Sequence, residues 1–560
     1  MGARNRTERE VSTAMACEIL LKQQGEGEDA YKEFDTNDKG QLRVADVLKA
    51  FDAELVEFET NSGRLKVLSA GNDGWSLASF AAGTKLTLKC RTKQEPLHQR
   101  ASSPAPAAAI ELDTDATTFW QGLKQVKPEP GQFMELPASE AWLGKGHGHQ
   151  KLLVRKCYPE LWAIICVLVA STGNVLLMGT PGTGKTAFQL YVLVLLAAMG
   201  KTAVLDWEGV DGRFLFKGDQ VWHGPADAFR HELSLRDTWF LVDAKSPPDV
   251  NAITLLTTSP RHDLNHNFAK YRADIRYMPT WTLAELQAAR PLYPGVEPDL
   301  VEELYAKWGG SVRYVLQFAI IPSLQLHLQQ AIDGASFHEL FVSVGQLDSK
   351  REVSHRLVHI EVTSKDYIQH RINFASPYVG QLVGDRLARD SVEAVERFIR
   401  STRDLGDVAA MRGILFERLS HHFMYTREFD MEERDLESNT GLPSYHNSPK
   451  ERIDLEKGAS LQQLKDKAGA YIIPRARNYA SIDSLMLPDR AFQCTVSATH
   501  PVKSVGLKRV MDETGTDEIL LTFVVPPDQF ATFKKQEITG VQYAELRRVK
   551  QRVCQLPVHI

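Results

Sequence analysis

The chain has 560 residues, a length that suggests three to four domains. Its residues are 43% hydrophobic and 24% charged, which is typical of a globular protein. Its net charge of -5 at pH 7 excludes a chain-wide attraction to polyanions, so any nucleic-acid contact must come from a local basic patch. Six cysteines without C-x-x-C spacing argue against a disulfide framework or a zinc site, and the apolar runs are too short to cross a bilayer. We therefore expect a soluble protein of a reducing compartment with no membrane partner.

Composition and hydrophobic patterning predict six segments along the chain. The N-terminus has no apolar signal segment, and a stretch rich in Pro, Ala and Ser separates a small module from the rest. In that module, residues 35–46 imitate a calcium-binding loop, but Lys39 replaces an oxygen ligand, so a plain turn is favoured. The segments are a polar arm (1–29), a small α+β module ending in an alternating strand over 84–90 (30–95), a linker (96–117), a nucleotide-binding domain (118–330), a helical connector (331–400) and a C-terminal α/β domain (401–560).

The nucleotide-binding domain contains a glycine-rich motif. Gly179-Thr180-Pro181-Gly182-Thr183-Gly184-Lys185-Thr186 matches G-x-x-x-x-G-K-[ST]. An apolar run over 174–178 predicts a buried strand before it, and residues 187–199 predict a buried helix after it. In this context backbone N–H groups and the helix N-terminus bind phosphate oxygens. Lys185 then contacts the β and γ phosphates, and the hydroxyl of Thr186 ligates Mg²⁺. The sequence therefore predicts a P-loop NTPase domain that binds ATP and Mg²⁺.

A second Mg²⁺ ligand is expected at the end of a neighbouring strand. Asp243 closes the apolar run 239–242 and is that candidate, with an ordinary turn-capping Asp as the alternative. The pattern also predicts a strand over 201–206 and a hairpin over 213–224. A further strand over 253–260 ends in hydroxyls, so Thr257, Thr258 and Ser259 are candidate γ-phosphate sensors, with an ordinary turn as the alternative.

Two further positions bear on hydrolysis. Arg313 begins a helix after a Gly-Gly pair, where related ATPases keep a second sensor for the γ-phosphate, although a surface arginine is equally compatible. Ala244 and Lys245 follow Asp243, where AAA-like ATPases keep a glutamate that orients the attacking water. Glu208, from the adjacent predicted strand, is a candidate substitute. We expect slow ATP hydrolysis, suited to a switch more than to a motor.

Five segments together resemble a known family: VRKCYPELW, GTPGTGKT, TWFLVD, WTLAELQ and GGSVRYVL, in that order. They are similar to the Crinkler effectors and the trypanosomal retrotransposon hot spot proteins, over residue 118 to the C-terminus. The resemblance implies a P-loop NTPase of AAA/STAND type followed by a restriction-endonuclease-like domain. It also implies translocation into host cells and action in the nucleus. Residues 30–95 lack an LFLAK-type translocation motif, so secretion without a conventional signal and an intracellular location both stay open.

The C-terminal third carries the residues that such a nuclease core requires. A helix is predicted over 411–423, and two strands over 481–486 and 491–496. By the resemblance to PD-(D/E)xK nucleases, Glu417 and Asp483 are Mg²⁺ ligands and Gln493 replaces the usual acid. Thr495 takes the place of the lysine, and Lys503 is the candidate for a lysine that has migrated. Two buried strands with polar ends are the alternative interpretation.

The predicted fold class is thus a multidomain α/β protein: a P-loop NTPase core, a small N-terminal α+β module and a restriction-endonuclease-like C-terminal domain. The predicted function is a Crinkler-like effector in which nucleotide binding is coupled to a nuclease-like domain acting on DNA. One alternative is a STAND-type switch whose degenerate nuclease fold only binds nucleic acid or a host protein. Another is an NTPase that serves as an assembly platform, and an oligomer is compatible with each.

Overall fold

The structure is a computed structural model of the chain. It describes residues 110–138, 150–260, 268, 273–336, 356–456, 458–475, 479–541 and 543–558, together with seven strands nearer the N-terminus. Two compact units are present, Met1–Ala107 and Ala108–Ile560. The boundary between them lies inside the predicted linker, residues 96–117.

The N-terminal unit contains a mixed sheet. Its described strands pair in the order β2-β1-β7-β4-β5, with β1 parallel to β7 and the other pairs antiparallel, while β3 pairs with β6. β1 falls inside the predicted polar arm, so the sheet begins before residue 30, whereas β7 matches the predicted strand over 84–90. Most of the predicted calcium-like loop lies outside the described residues. The strands are β1 (Glu18–Gln23), β2 (Lys32–Asp35), β3 (Gln41–Arg43), β4 (Leu55–Glu59), β5 (Leu65–Ser69), β6 (Trp75–Ser79) and β7 (Lys85–Arg91).

The second unit begins with an α/β layer. The elements are β8 (Glu111–Leu112), α1 (Thr114–Leu123), β9 (Phe133–Glu135), β10 (Lys151–Leu153), α2 (Cys157–Val169), β11 (Asn174–Met178), α3 (Lys185–Ala198), β12 (Ala203–Trp207), β13 (Arg213–Lys217), β14 (Gln220–Gly224), α4 (Arg230–Leu233), β15 (Trp239–Asp243), β16 (Ile253–Thr258), β17 (Asp274–Tyr277), α5 (Leu283–Ala289), α6 (Pro298–Trp308), a π-helix (Arg313–Gln317) and α7 (Pro322–Gly334).

The main sheet of this layer has the order β17-β11-β16-β15-β12-β13-β14-β8. The strands from β17 to β12 run parallel, whereas the pairs from β12 to β8 are antiparallel. The predicted strand over 174–178 and the hairpin over 213–224 are confirmed; a two-residue turn with Gly218 at φ 62° closes that hairpin. Both faces of the sheet are covered by buried apolar residues, which is why its parallel strands read as continuous apolar runs.

The rest of the unit forms a second layered region. Its described strands pair in the order β21-β20-β29-β27-β25-β24-β23-β22. Within this sheet β23, β24 and β25 are joined by antiparallel pairs, and β27 is parallel to β25. The elements are β18 (Val358–Val362), β19 (His370–Phe374), α8 (Pro377–Asp390), α9 (Val392–Ser401), α10 (Ala409–Thr426), β20 (Phe429–Asp435), β21 (Gly441–Asn447), β22 (Arg452–Leu455), β23 (Tyr471–Pro474), β24 (Ser484–Met486), β25 (Arg490–Cys494), β26 (Val502–Lys503), α11 (Ser504–Thr514), β27 (Ile519–Val525), α12 (Pro527–Phe530), β28 (Ile538–Thr539) and β29 (Val549–Gln555).

The segment predicted as a helical connector contains strands as well as helices. The helical connector, 331–400, contains the antiparallel hairpin β18–β19 as well as helices α8 and α9. One apolar core includes residues from the predicted nucleotide-binding, connector and C-terminal segments, for example Trp308, Phe374 and Phe492. These segments are therefore packed as one body. None of the helices among the described residues is long and apolar enough to cross a membrane.

Two helical glycines test how closely the second region is packed. A Cβ at Gly506 of α11 would lie 2.0 Å from the carbonyl oxygen of Ala480, whereas one at Gly413 of α10 would meet only Val496 Cγ2 at 3.9 Å. We predict that Gly506→Ala lowers the free energy of unfolding by about 2 kcal/mol or more, because backbone must move. Gly413→Ala should raise it by up to about 1 kcal/mol through helix propensity. Denaturant titration measures both variants, and equal stabilities would contradict the packing.

Candidate functional sites

The loop between β11 and α3 is shaped by its glycines. Gly182 and Gly184 have φ values of 81° and 92°, in the left-handed region that favours glycine. Neighbouring groups also approach them closely: a Cβ at Gly182 would lie 2.7 Å from Ser311 Oγ, and one at Gly184 would lie 2.9 Å from the hydroxyl of Tyr158. The loop conformation therefore requires glycine at both positions.

The structure brings the predicted phosphate and Mg²⁺ residues together. Lys185 Nζ donates to the carbonyl oxygens of Gly179 and Thr180 at 2.8 and 3.1 Å, so the ammonium lies over its own loop. Thr186 Oγ1 donates to Asp243 Oδ2 at 2.5 Å. The hydroxyl of Thr257 donates to the other carboxylate oxygen of Asp243. The carboxylate of Asp243 thus joins the loop to the end of β16.

The other candidate sensors are placed differently. Thr258 Oγ1 donates to the carbonyl oxygen of Ser259 at 2.9 Å, within its own turn. Arg313 begins the π-helix, has an exposed side chain, and its Cβ would lie 3.1 Å from a Cβ at Gly182. The preceding Val312 N–H donates to the carbonyl oxygen of Gly182 at 3.1 Å. Of these residues, Arg313 is therefore beside the loop.

A buried arginine that sequence reasoning missed supports the loop from behind. Arg155 is 2% exposed, and its Nη1 donates to the carbonyl oxygens of Thr183 and Pro279 at 3.0 and 2.9 Å. Its Nε lies 3.0 Å from Glu285 Oε1, and this pairing lowers the pKa of the Glu285 carboxyl although burial acts in the opposite direction. Trp281 Nε1 also donates to the carbonyl oxygen of Thr183, at 2.9 Å. The Thr-x-x-Glu spacing that ends at Glu285 is a helix-capping signal that the sequence shows. No such sequence pattern identifies Arg155 as the partner of Glu285.

The residues that follow Asp243 are held away from a catalytic role. Ala244 has φ 54° and its N–H donates to the carbonyl oxygen of Thr257 at 2.9 Å. Lys245 Nζ lies 2.8 Å from Asp206 Oδ1, and Arg213 Nε lies 2.7 Å from Asp206 Oδ2. Asp206 is therefore neutralised by two cations at the end of β12.

In the second region, Glu417 lies on α10 beside Arg418 and His421. The guanidinium of Arg418 donates to Glu417 Oε1, and His421 Nε2 is 3.4 Å from the same oxygen. Burial opposes ionisation, but the charge of Arg418 and the contact with His421 outweigh it and lower the pKa of Glu417 to about 2. The Arg418 side chain is 6% exposed, and its Nη1 is 3.8 Å from Asp385 Oδ1. Sequence analysis had identified neither Arg418 nor Asp385.

Asp483 precedes β24 and belongs to the same electrostatic cluster. Its Oδ2 accepts the backbone N–H of Cys494 at 2.7 Å. Burial, followed by the charge of Glu417, raises the pKa of Asp483 well above its usual range. Burial opposes the charge of Arg418, but the charges of Glu417 and Asp385, followed by that of Asp483, outweigh it and raise the pKa of Arg418. Glu417, Arg418 and Asp483 are therefore near enough for their charges to influence one another.

Gln493 and Thr495 meet a histidine that the sequence analysis did not single out. Gln493 Nε2 is 2.9 Å from His500 Nε2, and Thr495 Oγ1 is 3.3 Å from His500 Nδ1. Burial lowers the pKa of His500, partly offset by the charge of Glu417. Gln493 Oε1 is buried and has no hydrogen-bond partner among the described residues. Gln493 therefore presents an unused oxygen acceptor.

No contact among the described residues joins Lys503 to Glu417, Asp483 or Gln493. It is exposed at the start of α11, and its backbone N–H donates to Ser481 Oγ at 3.0 Å. The buried positive charge beside the carboxylates belongs to Arg418 instead. The described residues contain no group of three or more His, Cys, Asp or Glu side chains that could hold a metal ion. Any metal at this site would therefore be bound by the two carboxylates together with neutral oxygens.

The raised pKa of Asp483 predicts a pH-dependent stability difference. Ionisation of a carboxyl whose folded pKa is raised costs stability as the pH rises above the unfolded value of about 3.9. Asp483→Asn removes that cost and keeps an oxygen acceptor for the Cys494 N–H. We expect the variant to be more stable than the native chain by about 2 kcal/mol at pH 8, with the gap closing towards pH 4.

Thermal melts of both proteins from pH 4 to pH 8 measure this gap. Asp489→Asn, at an exposed position in the adjoining turn, is the matched control and should leave the melting temperature unchanged. A gap that is constant with pH, or that has the opposite sign at pH 8, would contradict the raised pKa of Asp483.

The fold and these sites define a multidomain α/β protein with a glycine-rich loop at the edge of a parallel sheet and a charged cluster on a second sheet. No protein-family profile matches the chain. Two curated proteins of Phytophthora infestans, Crinkler effector protein 15 and Crinkler effector protein 16, are each 27% identical to it over 422 residues. The match covers 71% of this chain and 66% of each relative, just under two thirds of their length. The chain is Crinkler-like, which confirms that part of the resemblance inferred from the motifs.

Proposed function

We propose that the loop 179–186 binds a nucleoside triphosphate with Mg²⁺. The observation that carries this proposal is the contact of Thr186 with Asp243, at 2.5 Å, on a carboxylate that also accepts the hydroxyl of Thr257. A Mg²⁺ ion prefers one or two protein oxygens together with phosphate oxygens and water. Thr186 and Asp243 are suited to supply those protein oxygens, and the ion would neutralise charge between the β and γ phosphates.

Lys185 and Arg313 extend the same site. Lys185 Nζ rests on carbonyl oxygens of the loop at 2.8 and 3.1 Å, where it is positioned for the β and γ phosphates that the loop N–H groups would bind. Arg313 is exposed beside Gly182 and would contact the γ-phosphate from the other side of the loop. ATP is the nucleotide we assign, on the resemblance to P-loop NTPases of AAA/STAND type.

We further propose that this site controls the C-terminal region, because a chain of contacts joins them. Ile360 N–H, on β18, donates to Thr180 Oγ1 of the loop at 3.0 Å. The hairpin β18–β19 leads to Ser376, the N-cap of α8, whose hydroxyl donates to the carbonyl oxygen of Lys307 at 2.7 Å. Helix α8 then packs on α10, where a Cβ at Gly384 would lie 2.6 Å from Arg418 Cγ. Direct contacts therefore connect Thr180 with Arg418, so a displacement of Thr180 would be transmitted to Arg418.

The C-terminal region is proposed to act on DNA as a PD-(D/E)xK-like domain. The helix α10, three antiparallel strands, a helix and a parallel strand support this, with Asp483 entering the second strand and Gln493 in the third. Mg²⁺ would be held by Glu417, Asp483 and the unpartnered Gln493 Oε1, and would activate water for attack on a phosphodiester.

One observation favours the alternative, a STAND-type switch whose nuclease-like fold only binds nucleic acid or a host protein. Glu417 is already paired with Arg418, and Thr495 at the lysine position cannot supply a positive charge. In either case the effector relatives support action on a host cell, which we extend to its nucleus as part of the proposal. The basic run over 547–552 is compatible with contacts to phosphates.

Lys185→Ala tests the nucleotide site. Because Lys185 supplies the positive charge for the terminal phosphates, we expect the dissociation constant for Mg-ATP to rise at least about 100-fold. Isothermal titration calorimetry measures it in the full chain. Lys201→Ala, an exposed lysine just after α3, is the control and should bind as the native chain does. Unchanged affinity in Lys185→Ala would remove the basis of the proposal.

Plasmid DNA tests the C-terminal proposal. We expect cleavage by the native chain with Mg²⁺ and ATP, and its loss in Asp483→Ala, because the variant lacks a metal ligand. Asp489→Ala, at an exposed position nearby, should cleave normally. Salt-sensitive binding without cleavage would support the switch instead, whereas neither binding nor cleavage would overturn any role in acting on DNA.

A further inference from the structure

Hydrolysis at the proposed nucleotide site needs a group that orients the attacking water, and the residues after Asp243 do not supply one. Ala244 has no functional side chain. Lys245 is a cation that lies 2.8 Å from Asp206 Oδ1. The group must therefore come from another element at the same edge of the sheet.

Strand β12 is the neighbour of β15 at that edge. The two strands run parallel in a register that pairs Trp207 with Asp243, and Glu208 N–H donates to the carbonyl oxygen of Asp243 at 3.0 Å. Glu208 is thus the first residue after β12 and lies beside the end of β15, one position beyond the Trp207–Asp243 pair. Glu208 is exposed, at the carboxyl edge of the parallel strands, where the loop after β11 also lies.

The two other carboxylates at the ends of β12 and β15 have different roles. Asp243 is 8% exposed and accepts the hydroxyls of Thr186 and Thr257. Asp206 is 6% exposed and lies between Arg213 and Lys245, which stabilise its negative charge. Each carboxylate oxygen of Asp206 is thus engaged by one of these cations, as each oxygen of Asp243 is by a hydroxyl. Neither aspartate is therefore suited to activate water.

We infer that Glu208 is the catalytic residue that orients and deprotonates the attacking water, an inference that rests on the proposed nucleotide site. The water oxygen forms a bond to the γ-phosphorus, and the bond from that phosphorus to the β–γ bridging oxygen breaks. The electron pair leaves with ADP, the water proton passes to the Glu208 carboxylate and then to solvent, and inorganic phosphate is released. Glu208 thereby takes the role that AAA-like ATPases give to the residue after the metal-binding aspartate.

Glu208→Gln in the full chain tests this role, because glutamine keeps the size of the side chain but cannot accept the proton. We expect the ATP turnover rate to fall at least about 100-fold while the dissociation constant for Mg-ATP changes by less than about threefold. Glu208→Asp should recover part of the rate, since the carboxylate is retained at a shorter reach. The matched control is Asp211→Asn, an exposed carboxylate three positions along, which should turn over ATP at the native rate.

The outcomes separate this inference from the proposed function. Failure of the native chain to bind Mg-ATP would overturn the nucleotide site itself. Binding without hydrolysis by the native chain, or native turnover in Glu208→Gln, would overturn the role of Glu208 and leave the nucleotide site standing. Loss of Mg-ATP binding in Glu208→Gln that Glu208→Asp restores would make Glu208 a binding residue and also reject the inference. Filter-binding with labelled ATP, which should show unhydrolysed nucleotide retained by Glu208→Gln, gives a readout that a purely structural role would not produce.

Discussion

The register of five parallel strands is the constraint on which the candidate nucleotide site depends. Because β16 lies between β11 and β15, the loop, Thr257 and Asp243 end at the same edge of one sheet. The carboxyl ends of parallel strands lie at the same edge of a sheet, so functional groups from distant parts of the chain come together there. A slip of one residue in β15 would turn Asp243 to the opposite face and separate it from Thr186 and Thr257.

Buried charge is compensated locally at both candidate sites. Arg155 distributes its donors over Glu285 and carbonyl oxygens behind the loop, and Asp206 is neutralised by Arg213 and Lys245. A buried charge without such partners would cost several kcal/mol, on the order of the stability of a whole domain. In the second region, Arg418 compensates Glu417 but leaves Asp483 with a raised pKa. That imbalance is the reason to expect the stability of this region to change with pH.

The helices that follow the first sheet share one apolar core with the second region. Trp308 and Phe492 belong to one apolar core, and Gly384 lets α8 approach Arg418 of α10 closely. Close-packed cores transmit small displacements because they contain few voids that could absorb them. The contact of Ile360 with Thr180 adds a polar link between the loop and this core.

The sequence alone determined the local features of this protein. The apolar run over 174–178, the glycine-rich loop and the helix after it, the hairpin over 213–224 and the helix bearing Glu417 follow from hydrophobic period and turn residues, which act over a few positions. The five quoted motifs also sufficed to identify the Crinkler resemblance. Only the tertiary structure decided that β1 pairs with a strand more than sixty residues away and that the connector contains the hairpin β18–β19. It also decided that Arg155, Arg418 and His500, and not Lys503, contact the candidate site residues. Those contacts join residues far apart in the chain, and their energy comes from burial and charge pairing in three dimensions, which no local pattern records.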